Sequence, residues 1–153
     1  MEKSKSRVSE PAYPFRHSVD LQMRFSDIDM LGHLNNNVYL QFMDLGKSRY
    51  FMSVMPGGVD FKHINVVVVN ISCDFHAPTY LSEPIAVLTQ VTFISEHSFS
   101  MEQRIVNTAT GEVKCVGRTV MAGFDPATAT SAPIDPAWVA ALEAYEGRFL
   151  RKL

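Results

Sequence analysis

The sequence predicts an α+β domain in which a curved antiparallel sheet wraps one long helix. Two observations carry this. A long helical segment near the N-terminus, from about Asn37 to Met55, is apolar over much of its circumference. Four long strand-like segments follow it, and no second helix of equal apolarity exists to cover their sheet.

The elements are expected in this order. His17 to Phe25 alternates imperfectly and reads as a first strand. In the helix, Val38, Phe42, Leu45 and Met52 approximate one stripe, with Tyr39, Met43, Gly46 and Tyr50 beside it. Gly46 costs roughly 1 kcal/mol inside a helix relative to Ala, which close approach to a sheet would justify. Pro56, Gly57 and Gly58 stop the helix. Ile64 to Phe75 contains four consecutive valines and suits a central strand covered on both faces, closed by His76-Ala77-Pro78. Ile85 to Ile94 and Phe99 to Val106 are the next strands. In the latter, Phe99, Met101 and Ile105 oppose Ser100, Glu102 and Arg104. Thr108 to Gly111 is a hairpin turn, and Val113 to Phe124 is the last long strand, whose Gly117 predicts a bulge or a close contact. Residues 126–153 read as a Pro/Ala/Thr-rich linker and a terminal helix. Asp135 is its N-cap, Pro136 opens it, and Trp138, Leu142, Tyr145 and Phe149 dock it on the outside.

The 153 residues are expected to form one domain over residues 15–125, preceded by a disordered polar tail over 1–14. A net charge of −2 gives no electrostatic case for nucleic-acid binding, and no apolar run approaches the ~20 residues of a membrane span. Cys73 and Cys115 lack metal-ligand spacing and suit small buried positions; a reducing, cytoplasmic location is the expectation. The histidines at 17, 63, 76 and 97 are scattered rather than clustered, so no metal is expected. There is no Gly-x-Ser-x-Gly elbow and no phosphate-cradling glycine loop.

Chemistry concentrates between Arg24 and Phe51, in RFSDIDMLGHLNNNVYLQFMDLGKSRYF. An acidic turn, Gly32, His33 and three asparagines run into the helix. The first N–H groups of a helix have no partner inside it, and its positive end steadies developing negative charge. A carboxylate beside such donors can attack a polarised carbonyl, or activate water to do so. Alone, the same residues also make an ordinary turn and N-cap.

The pattern D-x-D-x-x-G-H-x-N-N-x-x-Y, with a helix ending Arg-Tyr-Phe, resembles the opening of the hotdog-fold thioesterases. It is most similar to the 4-hydroxybenzoyl-CoA thioesterase group and its short bacterial acyl-CoA thioesterase relatives. The resemblance is specific over Arg24 to Phe51, and the order of elements fits through about Asp125. It implies hydrolysis of an acyl-CoA with no cofactor, and pairing into homodimers or homotetramers with active sites between subunits. It also implies that Asp29, on the D-x-x-G position, is the catalytic carboxylate. Asp27 is the alternative, with capping of the turn as its expected duty. Asn36 and Asn37 are expected to polarise the substrate carbonyl through backbone N–H groups. His33 either orients Asp29, binds substrate, or only bonds a loop carbonyl, and Tyr39 is expected to pack.

Whether Asp29 attacks directly or serves as a base is open. Lys62, Arg104, Lys114 and Arg118 are candidates for the coenzyme A phosphates. Ser95-Glu96-His97-Ser98 replaces the basic or glycine-rich stretch of many relatives, which keeps an acyl carrier protein open as the thioester's carrier. Two other readings are an acyl-thioester dehydratase or hydratase using His33 and Asp44, and an acyl-binding module without turnover.

Overall fold

The computed structural model describes residues 8–55, 57–58 and 65–151. Lys62, His63 and the expected strand start at Ile64 lie outside the described residues. Among the described residues, five strands of a six-stranded antiparallel sheet run in the order β1-β3-β4-β5-β2, formed by β1 (His17–Leu21), β2 (Val66–Phe75), β3 (Ile85–Ile94), β4 (Ser98–Asn107) and β5 (Val113–Asp125). A short β6 (Thr130–Ser131) pairs with the end of β5. Helix α1 (Asn36–Val54) lies across β1, β3 and β4, and α2 (Pro136–Glu146) packs against β3 and α1. This is the hotdog arrangement.

The period-two pattern of β4 explains how the sheet holds α1. Phe99, Met101 and Ile105 are fully buried on the helix side, joined by Val87 and Val91 from β3. Burying each such side chain contributes about 1.5–3 kcal/mol. Gln103 is also buried under the helix and donates to the Met43 carbonyl at 2.9 Å and to Thr89 at 3.0 Å. Gly46 sits over this point. A Cβ there would lie 2.9 Å from Gln103 Nε2 and from Val87 Cγ1, so the expected close approach is met. Gly117 is likewise a close contact rather than a bulge, facing the Met43 thioether. The register shifts fall elsewhere, between Val68 and Asn70 of β2, between Val91 and Phe93 of β3, and in the β4–β5 pairing at Ile105/Val106.

Several expectations are corrected. The first strand ends at Leu21, and Phe25–Asp27 form a 3-10 turn, because Asp27 takes the Arg24 N–H and guanidinium for itself. The buried face of α1 carries Val38, Tyr39, Met43, Gly46, Lys47, Tyr50 and Val54, with Phe42 packed beside it; Leu45 and Met52, expected on the stripe, are exposed because the sheet covers only one side. The valine run is not central. β2 is the sheet's edge, with Val67, Val68, Val69 and Ile71 exposed. Residues 8–14, placed in the tail by sequence, lie on the sheet: Ser9 O accepts from Arg104 at 2.6 Å and Tyr13 O from Gln90 at 3.1 Å. This segment buries Glu102 and Arg104, which pair at 3.2 Å. The linker folds back as β6.

The terminal helix opens as expected: Asp135 accepts the Ala137 N–H at 2.8 Å, with Pro136 in the first turn and left-handed Gly147 closing the helix. Its stripe docks it on the domain as expected: Val139 and Leu142 join the core cluster around Tyr50, Phe99 and Met101, with Trp138 and Tyr145 packed against it, and only Phe149 of the expected stripe is exposed. The fully buried Glu146 accepts from Tyr50 Oη at 2.7 Å and Val91 N at 3.3 Å, tying α2 to α1 and β3. Burial, then the neighbouring Glu146 carboxylate, pushes the Tyr50 phenol far up, so it stays a donor.

Candidate active site

The acidic turn is a small closed loop. Asn35 N donates to Asp27 O at 2.8 Å, Asp29 N to His33 O at 2.8 Å, and Gly32 N to Asp29 O at 3.0 Å. The tip needs Gly32, whose φ is +80°. Within it, Asp29 Oδ1 accepts from Leu31 N at 2.9 Å and His33 N at 3.2 Å, while Oδ2 has no hydrogen-bond partner among the described residues. His33 thus orients Asp29 through its backbone, and its ring meets the Tyr80 ring edge-on at 5.3 Å. Asp27 is buried and held by Arg24, whose guanidinium and N–H keep its carboxyl below the usual range. It fastens the turn, as expected of it.

The loop delivers the chain to α1. Asn35 is the N-cap, and its side-chain oxygen accepts the Asn37 N–H at 3.1 Å. Val38 N bonds Asn35 O at 2.9 Å. The Asn36 N–H has no partner among the described residues. A cleft of about 370 Å³ opens at this helix end, and Asp29, His33, Asn36 and Tyr39 line it. Its opposite wall is Phe75, His76, Ala77 and Pro78. Tyr39 packs on Phe75 at 5.1 Å between ring centres, and its hydroxyl meets Thr79 Oγ at 2.7 Å. Asp29, with one carboxylate oxygen unpartnered, and Asn36, with its helix-terminal N–H unpartnered among the described residues, therefore line one space. That is a donor–acceptor pair suited to adding an oxygen nucleophile to a carbonyl.

A larger cavity, about 510 Å³, lies on the sheet face away from α1, lined by Ser9, Ser72, Ser100 and Arg118 among others. Arg118 there already faces Asp74 at 3.5 Å and Glu102 at 4.0 Å, and no helix end opens onto it.

The model of the thioesterase-like superfamily matches residues 23–142. The chain belongs to that superfamily. By family it is a thioester hydrolase, and the match begins just before the acidic turn. It is similar to a thioesterase from Thermus thermophilus complexed with coenzyme A and Zn, at 29% identity and a TM-score of 0.77, covering 88% of this chain and 96% of that one. A Pseudomonas aeruginosa protein aligns at 25% identity and a TM-score of 0.74, over 90% and 95% of the two chains. A 1,4-dihydroxy-2-naphthoyl-CoA thioesterase from Synechocystis, at 20% identity and a TM-score of 0.74 over 82% and 94%, shares the fold. No curated relative matches the chain.

In this cleft, three of the four residues expected from sequence come together: Asp29, His33 and Asn36. Asn37 does not. It is exposed, does not line the cleft, and its N–H is spent on the Asn35 cap. Two of the expected phosphate contacts are also displaced. Lys114 and Arg104 are buried in ion pairs, Lys114 with Glu83 at 2.7 Å and with Glu112, and Arg104 with Glu102. Arg118 remains half-exposed beside Asp74. Asp44 pairs with Lys47 at 3.1 Å and does not line the cleft that holds His33, so one chain does not bring the two together. The wall at 75–78 was missed by sequence. It lies some 40 positions from the helix entrance, and His76 carries no local signal. Among the described residues no cluster of three metal-ligating side chains occurs, and no helix is long and apolar enough to cross a membrane.

Proposed function

We propose that the protein hydrolyses an acyl-CoA thioester to the free acid and coenzyme A, with Asp29 as the catalytic carboxylate. The carrying observation is that Asp29 and Asn36, whose N–H has no partner among the described residues, line one cleft at the N-terminus of α1. The substrate carbonyl oxygen accepts from Asn36 N–H and sits in the positive field of the helix. Asp29 Oδ2 then either attacks the carbonyl carbon, expelling the thiolate and leaving an anhydride for water to open, or takes a proton from an attacking water. A thiolate leaves readily, so one carboxylate is sufficient. Coenzyme A as carrier is supported by the similar Thermus thermophilus thioesterase, which is complexed with it.

The working unit is a dimer or a tetramer. Among the described residues nothing covers the apolar β2 edge or the helix side bearing Leu40, Leu45 and Met52, and an open apolar edge strand is a pairing surface. A second chain there would stand beside Phe75, and so beside the cleft.

The test is a panel of short, long and aromatic acyl-CoA esters followed with a thiol reagent, alongside enoyl-thioester absorbance. Thiol release from some member, without change in the enoyl signal, is the expected result. Enoyl conversion without thiol release would replace the reading by the hydratase one.

A further inference from the structure

We infer that Lys114 is a positioning residue for the thioesterase site: through Glu83 and the Pro78 carbonyl it fixes the 76–80 wall against the entrance of α1. The inference rests on the reading of the cleft as the active site.

Lys114 is 2% exposed, which is rare for lysine and tolerable only when its donors are used. Nζ donates to Pro78 O at 3.1 Å, to Glu83 Oε1 at 2.7 Å and to Glu112. Its backbone carbonyl accepts from His76 N at 2.8 Å. Glu83 carries the tether onward, since its Oε2 accepts Tyr80 N at 2.8 Å. One residue on β5 thus holds the wall at 76, at 78 and, through Glu83, at 80.

The held segment reaches the catalytic side directly. Thr79 is fully buried, and its carbonyl accepts Leu34 N at 2.8 Å, between His33 and the Asn35 cap. Its hydroxyl meets Tyr39. The Tyr80 ring packs on His33, whose N–H holds Asp29. If the wall shifts, the turn that carries Asp29 loses its backing, and the cleft's two sides part. A displacement near 1 Å in such a site costs rate on the order of 10²-fold.

Burial opposes the charge on Lys114, but Glu112 and Glu83 outweigh it and raise its pKa. Burial likewise opposes ionised Glu83, and Lys114, Tyr80 N–H and Asn107 outweigh that, lowering its pKa. Both groups stay ionised through the neutral range, so the tether is constant rather than a switch.

The experiment compares Lys114→Met with the double variant Lys114→Met/Glu83→Gln. The single variant leaves Glu83 unpaired and should lose Tm; the double removes that unpaired charge and should regain most of it. The inference predicts that kcat/KM of the double stays about tenfold or more below wild type despite the recovered Tm. Recovery of activity together with Tm would reduce Lys114 to a stability role and overturn it. Should Lys114→Met fail to fold, Lys114→Arg keeps the charge but presents a planar fork, and it should be folded with the same deficit. Hydrogen exchange gives a second readout. The Leu34, His76 and Tyr80 amides should exchange faster in the double variant while Val91 does not change; unchanged exchange at all four would also overturn the inference. Absence of thiol release from the wild type would refute the thioesterase reading, and the exchange data would still decide the tether.

Discussion

The side-chain oxygen of Asn35 accepts the Asn37 N–H at 3.1 Å, and this divides the three asparagines into a cap, a donor and a capped residue. The donor left over is the Asn36 N–H, at the cleft. Asn35→Ala should therefore lower stability by about 1 kcal/mol, read from chemical denaturation, because the cap is lost. Turnover should remain within a few-fold of wild type. A fall in kcat by orders of magnitude in folded Asn35→Ala would mean that the Asn35 side chain itself holds the carbonyl.

Gly46→Ala weighs two opposed effects. Helix propensity gains roughly 1 kcal/mol. The new methyl, however, meets Val87 and Gln103 within 3 Å, and Val87 is stiff about χ1. Overpacking typically costs about 1–3 kcal/mol, so the expected net is destabilisation with a lower Tm. A rise in Tm for Gly46→Ala would show that α1 can lift off the sheet freely.

His17 makes stability fall in mild acid. Its ring is buried edge-on to Tyr50 at 5.5 Å, and Nδ1 has no partner among the described residues. Burial depresses its pKa against the pull of the Arg49 carbonyl and the Glu146 carboxylate. The unfolded chain therefore binds this proton first, near the ordinary value of about 6.5, and stability drops as pH falls from there toward the lower folded pKa. Asp27 and Glu83 have depressed pKa values, so their contributions are lost only below the ordinary carboxylate range, about pH 4. The Tm difference between wild type and His17→Phe, which keeps the ring contacts, should thus change between about pH 7 and 5. A difference that stays constant over that interval would contradict the assignment.

Much of this was legible in the sequence, for local reasons. β3 falls on its expected residues because Ile85 to Ile94 is bounded by turn signals, and α2 starts where Asp135-Pro136 dictates. The acidic turn and helix entrance are contiguous, so Asp29, His33 and Asn36 could be read together. Burial on β2 could not be read. A run of valines looks the same at a sheet's edge as at its centre, and the exposure of Val67 to Ile71 is set by strand order. The stripe of α1 was ambiguous because Leu45 and Met52 are as apolar as Met43 and Tyr50; only the position of the sheet decides between them. Lys114 read as a candidate phosphate contact because Glu83 and Pro78 approach it only through the fold.

Asp29→Asn is the most direct measurement. Asn retains the oxygen that accepts the Leu31 and His33 N–H groups, so the turn survives, while the free carboxylate oxygen is replaced by an amide nitrogen. Initial-rate thiol release by a variant of wild-type Tm and oligomeric state should show kcat lower by orders of magnitude. Turnover close to wild type from that folded variant would remove Asp29 from the chemistry.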